Sequence, residues 1–233
     1  MNNGLLQIKI KQRLNKLASF DYDNLECWQI AEAFNKAQIE WVRRQVYGYN
    51  LRKEGAEQSI GLVDDLRILL KSQTLASAKK SGFYEGTLPS DYLYYVRADV
   101  MATKGCCTEP RRMTVYEAEE ANIGILLNTE TKNPNFEWAE TLSTLIGNKI
   151  RIYTNDQFDI SNINLVYYRV PAEIQIINCI NPNTGTVYTK DQICEFKDDI
   201  AEIILDGAAA ILAGDIESMN QYQRESQNVQ NNT

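Results

Sequence analysis

The sequence predicts an α+β fold: mainly a helical bundle with an antiparallel β insertion and a long C-terminal helix with an extended tail. Three observations predict it. Apolar residues at both ends of the chain recur at steps of three and four, the period of a helix with one buried face. In the middle, β-branched and aromatic residues alternate with small or polar ones between Gly and Pro punctuation. Nothing alternates strand with helix, so a parallel α/β sheet is not expected. The organisation read from these shifts is an N-terminal helical part over 1–72, a β-rich part with a short helix over 73–190, and a C-terminal helix and tail over 191–233. Together they make one structural domain with an insertion. A chain of 233 residues with 44% hydrophobic residues can bury the core this requires.

Residues Asn3 to Ser19 carry Leu6, Ile10, Leu14 and Leu17 at helical spacing, with Lys9, Lys11, Arg13 and Lys16 between them. The basic side is read as a solvated face. Asp23 or Asn24 can cap a second helix to about Val46, on which Cys27, Ile30, Ala31, Phe34, Ala37 and Trp41 share a side. After a connector from Gly48 to Gly55, the residues Ile60, Val63, Leu66 and Leu70 describe a third helix. SGFYEGTLPSDYLYYVRADVMATKG reads as two strands joined around Gly86, Leu88 and Pro89. Its Tyr92, Tyr94 and Tyr95 suit cross-strand packing better than base stacking, because no glycine and basic pattern accompanies them.

Thr114-Val115-Tyr116-Glu117 has capping-box spacing and predicts a short helix through EAEEANIGILL. Further strands follow in NPNFEWAETLSTLIGNKIRIYTNDQF, where IGNKI is a tight turn. Ile163 to Ile180 supplies two more strands broken at Pro171, and NPNTG at 181–185 is a turn. The last helix, from Asp191, carries Ile193, Phe196, Ile200, Ile203, Ile204, Gly207, Ile211 and Leu212 on one stripe, and Glu195, Asp198, Asp199, Glu202, Asp206 and Asp215 on the other side. After Met219 the tail QYQRESQNVQNNT offers only Tyr222 and Val229 to bury, too little to fold alone. It is expected to order against another chain, with Tyr222, Arg224 and Val229 as the candidate interface residues.

The chain has no histidine, which removes the usual general base and the commonest metal ligand. Adjacent carboxylates such as Asp64-Asp65, Glu119-Glu120 and Asp198-Asp199 point about 100° apart on a helix and do not converge. DYDNLE at 21–26 lacks the glycine and glutamate of a calcium loop, and no phosphate-cradling glycine motif occurs. No catalytic residue, metal or cofactor is therefore expected. The cysteines Cys27, Cys106, Cys107, Cys179 and Cys194 show no CxxC spacing and read as reduced thiols of a cytoplasmic product. No apolar run approaches the roughly 18 residues that span a membrane, so no membrane partner is expected. A net charge of -7 with only short basic doublets argues against tight, sequence-blind DNA binding.

The succession LPSDYL, NPNFEWAETLSTLIGNKIRIYTNDQF, NLVYYRVPAEI and FKDDIAEIILDGAAAILAGDIESMNQYQRE resembles the head-to-tail connector proteins of short-tailed phages. It is most similar to the ring or adaptor proteins of crAss-like phages of gut Bacteroides, most strongly over residues 133–217. That resemblance implies a structural virion protein in the neck, assembled in the host bacterial cytoplasm. Such a protein forms an oligomeric ring below the portal, a dodecamer, joins head to tail and extends the DNA channel. Its partners would be identical neighbours, the portal protein and neighbouring ring or tail proteins, with genomic DNA passing through the lumen without specific binding. The family brings no catalytic residues to carry over. The alternative is a DNA-binding packaging or head-completion factor, against which the acidic balance weighs. A third class, an enzyme using carboxylates or a cysteine, needs a convergent pocket.

Overall fold

The computed structural model describes residues 1–15, 25–47, 65–105, 107–180, 182, 185, 187–215 and 227. The elements are α1 (Asn3–Asn15), α2 (Cys27–Tyr47), β1 (Leu70–Lys79), β2 (Phe83–Thr87), β3 (Tyr92–Lys104), β4 (Cys107–Glu117), α3 (Ile123–Leu127), β5 (Glu140–Ile146), β6 (Lys149–Tyr153), β7 (Asp159–Arg169) and α4 (Asp198–Asp215). They fall into two compact units, one of residues 1–68 with 171–233 and the other of residues 69–170.

The second unit is a seven-stranded closed barrel in the order β1-β2-β6-β5-β4-β3-β7. Neighbouring strands are antiparallel except β4 and β5, which run parallel where Thr114 to Glu117 meet Glu140 to Ser143. The period-two alternation of each strand sends one set of side chains inward. Ala98, Val100, Ala102, Met113, Val115, Ile150, Ile152, Ile163, Leu165 and Tyr167 fill the interior. At Gly86 on β2 the wall faces this filling so closely that an added Cβ would lie 3.1 Å from Ile163 Cδ1 and 3.4 Å from Ile150 Cγ2. Phe136 and Phe158 pack with ring centroids 6.1 Å apart beside the starts of β5 and β7. The turn between β5 and β6 has Gly147 at φ 57°, the left-handed value a two-residue hairpin with glycine first requires.

The first unit is helical. Leu6, Ile10 and Leu14 of α1, Ile30, Phe34 and Ala37 of α2, and Ile200, Ile204 and Leu212 of α4 are buried, as their helical spacing predicts; Val42 and Leu205 are buried too, and Ile203, Gly207 and Ile211 of the predicted stripe are half-buried. Small residues set how close α2 and α4 approach: a Cβ on Gly207 would stand 3.5 Å from the Cβ of Ala37. Trp41 and Phe196 meet edge to face at 5.1 Å, a geometry that favours aromatic pairs. The acidic side of α4 meets α1: Arg13 donates to Glu202 at 2.8 Å and also pairs with Asp206, and Lys9 pairs with Glu202.

The predicted architecture is therefore corrected. The molecule is not a helical bundle with a β insertion and a long C-terminal helix; its largest element is a closed β-barrel, and its helices are short. The final helix begins at Asp198, not Asp191. Asp198 and Asp199 occupy its first turn, where carboxylates favour the positive end of the helix dipole. Upstream, Gln192 exchanges backbone hydrogen bonds with Gln175, and Ile193 of the predicted stripe is exposed. Leu70 does not extend a third helix. It opens β1, whose register with β7 starts at Leu70 opposite Tyr168, while Ile60 and Val63 lie outside the described residues. Thr114 and Glu117 cap no helix: they belong to β4, because Val115 between them faces the barrel core and the segment pairs with β5. Of the predicted helix there, only Ile123–Leu127 is helical. Beyond β7, the segment to Ile180 forms only isolated bridges, Gln175 with Gln192 and Ile180 with Val187. The reduced-thiol expectation is also corrected, since Cys27 and Cys179 form a disulfide with Cα atoms 5.8 Å apart. Cys194 is a buried free thiol.

Candidate functional site

Parallel neighbours need a crossover, and the one joining β4 to β5 is where the barrel presents its most distinctive surface. Local hydrogen bonds hold this crossover. Ala118 N–H donates to Ser143 O at 2.8 Å. The Asn128 and Thr129 side chains donate to the carbonyls of Gly124 and Ile125, each at 2.8 Å. Asn135 Oδ1 accepts from the backbone N–H of Glu137 at 2.8 Å and of Trp138 at 3.1 Å, an Asx turn. Ala139, at φ 57°, then redirects the chain into β5, a left-handed residue costing about 1 kcal/mol or more.

So held, the crossover and the end of β4 leave Tyr116 50%, Ile125 70% and Trp138 59% exposed. Tyr116, Glu117, Leu126, Lys132, Glu140 and Leu142 line a cavity of about 400 Å3. Tyr116 donates its hydroxyl to Glu140 Oε1 at 3.2 Å, and the nearby Glu140 charge pushes the phenol up from its ordinary value. Burial pushes the Glu117 carboxyl up. Glu137 lies 3.7 Å from Lys104, and Glu120 lies 4.0 Å from Arg151.

Four other carboxylates of the barrel, Asp99, Asp91, Glu85 and Asp159, are occupied in holding the wall together. Asp99, 6% exposed, accepts from Arg112 at 3.0 and 2.8 Å, from Arg97 at 3.1 Å and from Asn164 at 3.2 Å. Burial would raise its pKa, but these donors outweigh it and hold the carboxyl below the usual range. Asp91 accepts from Lys71 at 2.6 Å and from the Tyr167 hydroxyl at 2.7 Å, with Lys71 foremost in lowering its pKa. Glu85 accepts from Lys149 and Arg151, and Asp159 from Lys79 and the Tyr84 hydroxyl. Arg97 shares β3 with Asp99, but every other donor lies on a strand to which the carboxylate it meets does not belong, so these groups act as braces. Among the described residues no group of three or more His, Cys, Asp or Glu side chains is placed to hold a metal ion.

The helical unit has its own exposed apolar surface: Leu5 and Ile8 on α1, and Ile177, Ile180, Val187 and Ile193 on the bridged segment before α4. Ile180 and Val187 stand directly opposite each other. A second cavity, about 260 Å3, is lined by Trp28, Gln29, Lys36 and Ile211 among others. The predicted interface residues Tyr222, Arg224 and Val229 lie outside the described residues. The basic face predicted on α1 is drawn on by its own chain, since Lys9 and Arg13 meet Glu202 and Asp206. The crossover surface was not among the predicted sites because its first half reads as helix; Trp138, with Glu137 before it and Glu140 two residues after it, was the available signal. Among the described residues no helix is long and apolar enough to cross a membrane. Neither the models of known protein families nor the curated proteins match this chain.

Proposed function

We propose that the chain is a structural virion subunit that forms an oligomeric ring of twelve copies below a phage portal, joining head to tail and extending the DNA channel. The observation that carries this reading is the resemblance over residues 133–217, a span that holds β5, β6, β7 and α4. Surface chemistry supports it. The helical unit has its own buried core and still exposes large apolar side chains, Leu5, Ile8, Ile177 and Ile180. A subunit covered head to tail by identical neighbours has a use for such surfaces. The net charge of -7 suits a channel through which DNA slides without adhering. The tail residues Tyr222, Arg224 and Val229 make contact with the portal or the adjacent subunit. The particle is assembled in the host cytoplasm, and the Cys27–Cys179 disulfide closes once it leaves that reducing interior.

Electron microscopy of the cognate portal with and without the chain tests the reading. An added ring of density on one face of the portal is the expected result, and a chain lacking residues 220–233 attaches more weakly while melting at nearly the same temperature. A portal left bare by the full-length chain refutes the proposal.

A further inference from the structure

Single exposed apolar residues are ordinary on protein surfaces, but the β4–β5 crossover gathers three large ones, two of them aromatic. Tyr116 lines the cavity itself, Ile125 precedes the cavity residue Leu126 in sequence, and Trp138 stands two residues before the cavity residue Glu140. Aromatic side chains beside a concavity are the usual composition of an interface centre. Charge says what fits there. Residues 117–140 hold six glutamates against one lysine, a net of -5 within a chain of -7. Glu137 and Glu120 have cations only at 3.7 and 4.0 Å, and no Lys or Arg forms an ion pair with Glu117, Glu119, Glu130 or Glu140 among the described residues.

The geometry points to this crossover as a docking surface for a cationic, apolar-tipped segment of a second protein. An arginine or lysine of that segment enters the cavity beside Glu117 and Glu140, and its apolar neighbours cover Tyr116, Ile125 and Trp138. A guanidinium suits the place because it pairs with carboxylates and stacks on aromatic faces. A second copy of this chain fits less well. Most of its barrel cations, among them Lys71, Lys79, Arg97, Arg112 and Lys149, already meet carboxylates of their own chain. The inference stands on the crossover residues alone and does not require ring formation.

The test uses the full chain and a labelled synthetic peptide alternating arginine with leucine, with a glutamate and leucine peptide as the control, read by fluorescence anisotropy at physiological salt. The arginine peptide binds and the glutamate peptide does not. The pair Ile125→Ser and Trp138→Ser, which leaves every charge in place, weakens binding at least about tenfold without moving the melting temperature, as loss of interface anchors does. The pair Glu117→Gln and Glu140→Gln, which leaves the apolar surface in place, weakens it to a similar degree, and undiminished binding by this pair overturns the inference. Absence of binding, equal binding of both peptides, or undiminished binding by the Ile125→Ser, Trp138→Ser variant overturns the inference. Self-association of the chain that the same pair abolishes also overturns it, because the occupant is then a second copy.

Discussion

Gly86 is the position where the filled barrel can be probed with one atom at a time. It faces inward on β2, and a Cβ there would meet Ile163 Cδ1 at 3.1 Å, Ile150 Cγ2 at 3.4 Å and Leu75 Cβ at 3.5 Å. Gly86→Ala sets two small effects against each other. A strand alanine gains about 0.5 to 1 kcal/mol over glycine, and the flexible tip of Ile163 has to yield by only a few tenths of an ångström. The change in stability is near zero. Gly86→Val adds two further methyl groups with no space to receive them, an overpacking that costs about 1 to 3 kcal/mol. At roughly 2 to 4 °C per kcal/mol for a chain of this size, the barrel's melting temperature falls by about 2 to 12 °C. Trimming the neighbour relieves the crowding: Ile163→Val alone costs about 0.5 to 1.5 kcal/mol, but combined with Gly86→Val it costs less than the two single changes together. Urea denaturation followed by circular dichroism on the four proteins measures the cycle. If Gly86→Val melts like the parent and the double variant is simply additive, β2 does not close against β7 residue Ile163 and the filled barrel is wrong.

Other consequences are equally direct. Asp99, Asp91, Glu85 and Asp159 all have pKa values lowered by their partners. Their contribution is therefore full above the unfolded carboxylate range, near pH 4, and is lost as pH falls through the depressed folded values. Acid titration of stability shows this, and Asp99→Asn makes the acid limb shallower while leaving Arg112 and Arg97 without a charged partner. Ile200→Asp places an unpaired carboxylate at a site 3% exposed and costs more than about 3 kcal/mol, read as loss of α-helical signal from the helical unit. Cys27→Ser opens a loop spanning 152 residues, for which chain entropy sets a loss of about 5 kcal/mol. The melting temperature under non-reducing conditions then drops to that of the reduced parent.

The helical unit was legible in sequence because its signal is local. Leu6, Ile10 and Leu14, or Ile30, Phe34 and Ala37, lie within one or two turns of each other and announce their shared face. Individual strands were legible for the same reason: IGNKI gives both the turn and the β5–β6 register. Closure was not. It rests on β7 pairing with both β1 and β3 across separations of more than fifty residues, which no local alternation encodes. Where two local readings competed, tertiary pairing decided: Thr114-x-x-Glu117 has a capping box's spacing, but the parallel partner β5 claims its backbone. The crossover surface escaped notice because exposure, unlike periodicity, cannot be read from residue type. Nothing in the spacing of Cys27 and Cys179 pointed to a bond, since their contact depends on how α2 meets the segment after β7.

In the proposed function the portal templates the ring, and the mass of the complex reads its copy number. The free chain runs as a 26.6 kDa monomer or a weak associate. Mixed with assembled cognate portal and measured by light scattering, twelve copies of 26.6 kDa add about 320 kDa to the portal and no intermediate stoichiometry persists. A portal that gains the mass of one or two copies, or none, contradicts the account.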